Sequence, residues 1–163
     1  MISIPPRRDP AAISGSGSIA GGVHRLPLRV YYEDTDAAGI VYHAAYLQFA
    51  ERARTEMLRC LGLDHGGLRE RFGLAFAVRR CVIDYLAPAR LDDLLIVSTR
   101  LLRRGGASLE LEQRLCCAGR LLARIEVRLA LVSPARGVAR LPDELSAALA
   151  LLTASGRAAD PPA

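Results

Sequence analysis

A single long amphipathic segment, residues 44–61, constrains the fold of this chain more than any other feature. Its apolar positions recur at the i, i+3, i+4, i+7 spacing of one helix face, and Gly62 follows where helices commonly end. The apolar face is formed by Tyr46, Phe49, Ala50, Ala53, Met57, Cys60 and Leu61. Arg52, Glu56 and Arg59 lie on the opposite side. A helix with one apolar face must bury it against another layer, so the rest of the chain must supply a sheet.

The segments around this helix have the two-residue period of β-strands. Residues 108–117 alternate apolar with mostly polar side chains, and residues 122–132 do the same. Further strands are predicted over 26–32, 74–86 and 91–103. Short connections join the last strands, which indicates an antiparallel meander. The sequence therefore predicts an α+β fold, a curved antiparallel sheet of about five strands wrapped around one long helix.

The two ends of the chain differ in composition from its centre. Residues 1–25 are rich in Pro, Gly, Ser and Ala, which predicts a flexible N-terminal arm. Residues 26–152 have the usual size of one domain, and their last element is a short helix that starts near Pro142. Residues 153–163 are small and polar, and we expect a disordered C-terminal tail.

The charge pattern argues against nucleic acid as a partner. The net charge is +5 with a pI of about 9.4, and every basic residue except His is Arg. Such a charge attracts anionic ligands in general. Here the Arg residues are interleaved with acids along the strands, and no aromatic–basic stripe accompanies them.

Cysteine and histidine spacing predicts neither a metal nor a disulfide framework. The four Cys residues lack Cys-x-x-Cys spacing, and the three His residues lack His-x-x-x-His spacing. Free thiols are typical of a reducing compartment, and no apolar run approaches a membrane span. We therefore expect a cytoplasmic protein. No phosphate loop, dinucleotide fingerprint or Gly-x-Ser-x-Gly elbow is present, and we expect no cofactor.

An acidic turn precedes the long helix. Three carboxylates end the first strand, Gly39 permits a tight turn, and His43 stands at the helix entrance. Asp36 is the candidate base or nucleophile, although such residues commonly form turns and caps. His43 offers its imidazole or its backbone amide, because the first amides of a helix lack intrahelical partners. A partly exposed His without a role is the alternative.

The stretch YYEDTDAAGIVYHAAYL (31–47), continued by ERAR (51–54), resembles the signature of hotdog-fold acyl-CoA thioesterases. It is most similar to the Tol-Pal-associated branch of the 4-hydroxybenzoyl-CoA thioesterase family. Later segments fit as well: VRR (78–80), IDYLAPARLDD (83–93), ASL (107–109) and EQR (112–114). The resemblance covers about residues 26–145. One departure is Ala45, where relatives commonly have Asn or Ser.

The resemblance implies both an activity and a site. It implies hydrolysis of an acyl-CoA thioester, with Asp36 as general base or nucleophile and the His43 amide polarising the carbonyl. In this branch the His43 side chain is also thought to contribute. It further implies homodimers that extend the sheet, often paired into homotetramers, with active sites at the subunit interface. The predicted substrate-binding residues are Gly39, Val41, Tyr42, Tyr46, Arg103, Arg104 and Ser108, the two Arg being candidates for the CoA nucleotide.

Two other functions stay open at this point. A hotdog hydratase or dehydratase would use a different arrangement of His and acid, and the DAAGIV pattern (36–41) argues against it. A non-catalytic protein that binds acyl carrier protein or envelope-complex components is the second alternative. Acyl carrier protein is also a possible carrier of the substrate. The sequence leaves chain length and aromatic or aliphatic preference undetermined.

Overall fold

The structure, a computed structural model, describes residues 15–152. Along these residues, two strands are followed by two helices, then by five strands and a last helix. The strands are β1 (Ser18–Ala20), β2 (Val23–Arg29), β3 (Ala75–Tyr85), β4 (Leu94–Arg104), β5 (Ser108–Cys117), β6 (Arg120–Ser133) and β7 (Gly137–Val138). The helices are α1 (His43–Cys60), α2 (His65–Phe72) and α3 (Asp143–Leu149), with 3-10 turns at Tyr32–Asp34 and Ala150–Leu152.

The described strands form one antiparallel sheet in the order β1-β2-β4-β5-β6-β3, and β7 pairs with β6. Five long strands, β2 to β6, confirm the predicted sheet of about five strands, and β4, β5 and β6 pair in chain order as the predicted meander. The strands β1 and β7 are short additions. The α+β prediction is also confirmed. In the chain, α1 lies between β2 and β3, but in the sheet these two strands stand towards opposite ends, because β3 pairs with β6. The long helix therefore crosses one face of the sheet.

The buried side of α1 is the predicted apolar face. Phe49, Ala50 and Ala53 have no exposed surface, because they pack against the apolar positions of the strands. Two clusters make up the core. The first surrounds the start of α1 and includes Val30, Leu95 and Ile125; the second surrounds its end and includes Met57, Leu101, Leu111 and Leu145. The helix is therefore held along its whole length, and its N-terminus has a defined position on the sheet.

The N-terminal arm expected over residues 1–25 needs correction for its last part. The strand β1 (Ser18–Ala20) pairs antiparallel with the start of β2, so that residues 18–20 and 23–25 belong to the sheet. Gly17 lets the chain before β1 pass close to the backbone of β2, because a Cβ there would lie 2.2 Å from the carbonyl oxygen of Arg25. A Gly-rich turn has no periodicity, so the sequence pattern did not reveal the hairpin. Residues 1–14 of the predicted arm, and the predicted tail over 153–163, lie outside the described residues.

Two strand boundaries differ from prediction because side chains close turns there. β2 ends at Arg29 instead of residue 32, since the Asp34 carboxylate accepts a hydrogen bond from the Tyr31 N–H at 2.8 Å. β4 begins at Leu94 instead of residue 91, since Asp93 accepts from the Arg90 N–H at 2.8 Å. Both turns lie at the end of the sheet that holds the helix start.

Candidate active site

The start of α1 leaves two backbone amides without protein partners. Tyr42 occupies the N-cap position, and its side chain does not cap the helix. The Ala45 N–H is taken by the Tyr42 carbonyl at 2.8 Å. Within residues 15–152, the N–H groups of His43 and Ala44 have no acceptor, as expected for the first turn of a helix. The first turn also contains no acidic residue. Together the two amides offer a place for a carbonyl oxygen or an oxyanion.

Asp36 lies on a tight loop directly before this helix start. Its N–H donates to the Ile40 carbonyl at 2.9 Å, and its own carbonyl accepts from the Gly39 N–H at 2.9 Å. The Asp36 side chain is exposed, and its Oδ1 accepts from the Ala38 N–H at 2.8 Å. This contact fixes one carboxylate oxygen, and no protein donor within the described residues bonds the second one. Asp36 therefore combines a defined position with a free oxygen, which a general base or nucleophile needs.

The loop and the helix start form one hydrogen-bonded unit. The Tyr42 N–H donates to the Asp34 carbonyl at 2.8 Å, and Thr35 forms an antiparallel bridge with Val41. With the contact between Asp36 and Ile40, these pairs make a short ladder that ends where α1 begins. Asp34 is only 3% exposed, because its carboxylate closes the turn at Tyr31. Asp34 is thus a turn-forming residue, whereas Glu33 and Asp36 are both exposed, and Asp36 belongs to the ladder that leads into α1.

The segment between β3 and β4 supports this unit from the other side. The Val41 N–H donates to the Ala89 carbonyl at 2.9 Å, and Ile40 forms a bridge with Arg90. The Ala89 N–H donates in turn to the Tyr46 hydroxyl at 2.9 Å. Burial raises the pKa of the Tyr46 phenol, which the Ala89 bond opposes. The loop is therefore fixed to both α1 and the end of the sheet.

Aromatic side chains surround the helix start. The rings of Tyr42 and His43 are 4.4 Å apart, and Tyr85 meets His43 edge-on at 6.5 Å and Tyr46 at 5.5 Å between centroids. The Tyr85 hydroxyl donates to the His43 carbonyl at 2.9 Å. Such edge contacts favour one ring orientation, so the His43 side chain stands beside the helix start and remains exposed.

The predicted substrate-binding residues around the helix occupy two environments. Gly39 is exposed with φ +72°, and Tyr42 is 49% exposed, so both lie at the surface of the loop. Val41 and Tyr46 are each 3% exposed and belong to the first core cluster. Their side chains therefore support the loop from within and do not line its surface.

The structure does not bring Arg103, Arg104 and Ser108 to this loop within one chain. They lie at the hairpin between β4 and β5, where Arg104 donates to the carbonyl and hydroxyl oxygens of Ser146 at 2.8 and 2.7 Å. The nine residue steps from Leu95 to Arg104 span about 30 Å of extended strand. Leu95 is at the end of β4 beside the loop, so the two groups lie at opposite ends of the sheet.

A small open cleft lies between the second half of α1 and the first half of β3. Met57, Phe76 and Leu129 are among its mostly apolar lining residues, with Arg54 at its polar side. Glu51, the lining residue nearest to the helix start, is eight residues from His43, or about 12 Å along a helix. The cleft and the Asp36 loop are therefore separate features of one chain.

Sequence reasoning missed two components of the site. One is the Ala44 amide, which only the helix start at His43 reveals. The other is Tyr85, which lies 42 residues from its hydrogen-bond partner. Tyr85 belongs to the segment IDYLAPARLDD (83–93) that resembles the family, and this resemblance was the available signal. Among the described residues, no group of three or more His, Cys, Asp or Glu side chains is placed to hold a metal ion.

A curved antiparallel sheet around one long helix, with a carboxylate loop beside unbonded helix-start amides, defines a hotdog protein with a site suited to hydrolysis. Comparison with known proteins gives the family. The profile of the thioesterase-like superfamily matches residues 30–149, and the chain belongs to that family. The predicted hotdog thioesterase resemblance is confirmed.

Individual relatives agree with this assignment. The chain is 50% identical over 107 residues to the acyl-CoA thioesterase YbgC of Haemophilus influenzae, covering 66% of this chain and 79% of the relative. It is 50% identical over 112 residues to the acyl-CoA thioester hydrolase YbgC of Escherichia coli O6:H1, covering 68% and 82%. The crystal structure of a probable thioesterase from Bartonella henselae superposes with a TM-score of 0.71 at 38% identity, covering 74% of this chain and 99% of that one. All three are described as thioesterases or thioester hydrolases, and none as a hydratase or an adaptor.

Proposed function

We propose that this chain hydrolyses acyl-CoA thioesters to a carboxylic acid and free CoA at the Asp36 loop. The activity follows from membership of the thioesterase family and from the acyl-CoA thioester hydrolases that are 50% identical to it. One observation carries the location. The exposed carboxylate of Asp36 and the unbonded amides of His43 and Ala44 belong to a single hydrogen-bonded unit.

In the proposed reaction, the thioester carbonyl oxygen accepts hydrogen bonds from the two helix-start amides. Asp36 removes a proton from a water molecule as that water attacks the carbonyl carbon. The C–S bond then breaks, and the CoA sulfur leaves with a proton. General-base catalysis contributes about 10²–10⁴-fold, and donors aimed at the developing oxyanion contribute about 10²–10³-fold each. Direct attack by the Asp36 carboxylate, giving an anhydride that water hydrolyses, uses the same geometry.

We propose that substrate contacts come from two chains. Gly39 and Tyr42 are exposed beside the loop and can contact the thioester from the same chain. Arg103, Arg104 and Ser108 lie about 30 Å along β4 from the loop, so they can contact that CoA only from another subunit. Arg104 already bonds Ser146, which makes the exposed Arg103 the better candidate for a phosphate.

The partner subunit we propose is a second copy joined through β3. β3 forms one end of the described sheet, and an unpaired edge strand favours association. Its exposed apolar residues are Val78 at 53%, Val82 at 38% and Tyr85 at 46%, followed by Leu86 at 57%. Pairing two copies along β3 would extend the sheet and cover these side chains in a homodimer. A homotetramer would need a further surface.

The proposed location is the cytoplasm, which the four free cysteines support. None of the helices within residues 15–152 has both the length and the apolar character that crossing a membrane requires. Acyl carrier protein remains a possible carrier of the acyl group. It would present the same thioester on the same phosphopantetheine arm, so hydrolysis rates with both carriers decide between them.

The test of the site compares Asp36→Asn with Glu33→Gln. Both variants remove one negative charge from the same exposed loop, and Asn at position 36 keeps the side-chain oxygen that accepts from the Ala38 N–H. We expect Asp36→Asn to lower kcat for acyl-CoA hydrolysis by about 10²–10⁴-fold and Glu33→Gln to leave it within about two-fold. Thiol release from a panel of acyl-CoA substrates measures both. A rate for Asp36→Asn equal to that of the parent protein would refute the assignment.

His43→Ala separates the imidazole from the backbone amide, because alanine keeps the amide. We expect this variant to lose less activity than Asp36→Asn, since the amide donors and the base both remain. Circular dichroism checks that helix α1 is retained. An equal loss in the two variants would transfer the main role to the His43 side chain.

A further inference from the structure

Tyr85 is the last residue of the edge strand β3, and its side chain contacts His43, the first residue of α1. Its hydroxyl donates to the His43 carbonyl at 2.9 Å, and its ring meets the rings of His43 and Tyr46 edge-on. Burial raises the pKa of the Tyr85 phenol, and the neighbouring Cys81 and Tyr46 add to this. The hydroxyl is therefore protonated at neutral pH and acts as a stable donor.

The carbonyl that Tyr85 contacts belongs to a functionally placed peptide group. The His43 C=O and the Ala44 N–H are the two ends of the same planar amide. A hydrogen bond to the carbonyl of an amide polarises the amide and strengthens donation from its N–H by about 10–30% per bond. It also restricts rotation of this first peptide plane, which lacks a capping side chain at Tyr42.

We propose that Tyr85 is a positioning residue that orients and polarises the Ala44 amide for the developing oxyanion. This inference rests on the proposed function of the helix start. Tyr85 touches the rear of the donor peptide and does not touch the reacting atoms. Its effect is largest in the transition state, because negative charge on the carbonyl oxygen is greatest there. Loss of the hydroxyl should therefore lower kcat more than it changes KM.

The kinetic test is Tyr85→Phe, which removes one oxygen and keeps the ring contacts. The matched control is Tyr31→Phe, because Tyr31 is 62% exposed and its ring makes no contact with His43. We expect Tyr85→Phe to lower kcat by about 3- to 20-fold with KM changed less than two-fold. We expect Tyr31→Phe to match the parent. An unchanged kcat in Tyr85→Phe, or a rise in KM alone, would overturn the proposal.

A spectroscopic test separates polarisation from a merely structural role. An acyl-CoA labelled with ¹³C at the thioester carbonyl is bound to Asp36→Asn and to the double variant Asp36→Asn/Tyr85→Phe. Infrared difference spectra then report the strength of the hydrogen bonds to that carbonyl. We expect the C=O band to lie at higher frequency in the double variant, because its amide donor is weaker. The same band position in both proteins would overturn the proposal, and equal melting temperatures ensure that folding is not the cause.

Failure of this inference differs from failure of the proposed site. If Asp36→Asn retains parental turnover, the site assignment itself is wrong. If Asp36→Asn is impaired while Tyr85→Phe equals the parent, the site stands and the role of Tyr85 is refuted.

Discussion

The buried polar network in the middle of α1 permits a prediction whose size follows from the structure. Gln113 is fully buried on β5, where its Oε1 accepts from Arg54 at 2.6 Å. Its Nε2 donates to the Ala50 carbonyl at 2.9 Å and to the Thr99 hydroxyl at 3.0 Å. Arg54 is 9% exposed and also pairs with Glu51. Gln113→Leu keeps the approximate volume and removes all three hydrogen bonds at Gln113.

The loss of stability in Gln113→Leu comes mainly from the buried polar groups that lose Gln113 as their hydrogen-bond partner. A charged donor that loses its acceptor costs about 1.5–3 kcal/mol, and a buried hydroxyl that loses its partner about 1–3 kcal/mol. Arg54 keeps Glu51, and the Thr99 hydroxyl can turn towards another acceptor, so we take the lower half of both ranges. The expected loss for Gln113→Leu is about 2.5–4 kcal/mol of unfolding free energy. Thr99→Val should lose only about 1 kcal/mol, since Gln113 retains the Ala50 carbonyl.

Urea unfolding at one fixed protein concentration measures these changes, because self-association would otherwise alter the apparent stability. The double variant Arg54→Met/Gln113→Leu provides the decisive comparison. Removing the buried charge together with its partner avoids an uncompensated guanidinium. We therefore expect the double variant to be more stable than Gln113→Leu alone, although it carries more substitutions.

Two results would refute this reasoning. The first is a loss below about 1 kcal/mol in Gln113→Leu with an unchanged m-value. The second is a double variant less stable than the single one, which would mean that Arg54 does not depend on Gln113. Glu126→Gln serves as the control, since its pair with Arg124 is about half exposed and such pairs contribute about 0–1 kcal/mol.

Three further predictions test the N-terminal hairpin, the edge strand and the loop. Burial lowers the pKa of His24, whereas its hydrogen bond with Ser16 and the charge of Glu56 act in the opposite direction. The free energy of unfolding should therefore fall as pH drops below the pKa of about 6.5 that the imidazole has in the unfolded chain. Unfolding at pH 8 to 5 should show a smaller slope in His24→Gln, and parallel profiles would contradict this. Val78→Arg should shift sedimentation from dimer to monomer, whereas Leu102→Arg, at a 47% exposed position of the inner strand β4, should not. Equal sedimentation of the two variants would exclude β3 as the interface. Gly39→Ala should cost about 1–2 kcal/mol in urea unfolding, because φ is +72° and a Cβ meets open space, and an unchanged midpoint would contradict it.

Much of the fold was predictable because periodicity reports burial directly. The stripe of residues 44–61 predicted α1 to within one residue at each end, His43–Cys60. The alternation over 108–117 predicted β5 with its observed bounds. The hairpin of β1 with β2 was missed, because Gly-rich residues carry no alternation and its pairing depends on contacts such as that between Ser16 and His24.

The candidate site was predictable in part, for a related reason. Asp36 and His43 belong to one local motif, so their proximity is a short-range property of the chain. Gln113 was visible as a polar residue on an apolar strand face, but its partner Arg54 is 59 residues away. Tyr85 is 42 residues from the carbonyl that it contacts. Long-range hydrogen bonds leave no periodic trace in a sequence.

The sequence by itself determined that one helix packs on an antiparallel sheet, and that an acidic turn leads into this helix. Both follow from local preferences, namely hydrophobic period and turn chemistry. Only the tertiary structure decided that Asp34 is buried, through its bond to Tyr31, while Asp36 stays exposed. It also decided that the Ala44 amide is unbonded and that Tyr85 lies behind it. These features depend on how β3 and α1 meet in space, and that geometry exists only once the sheet has formed.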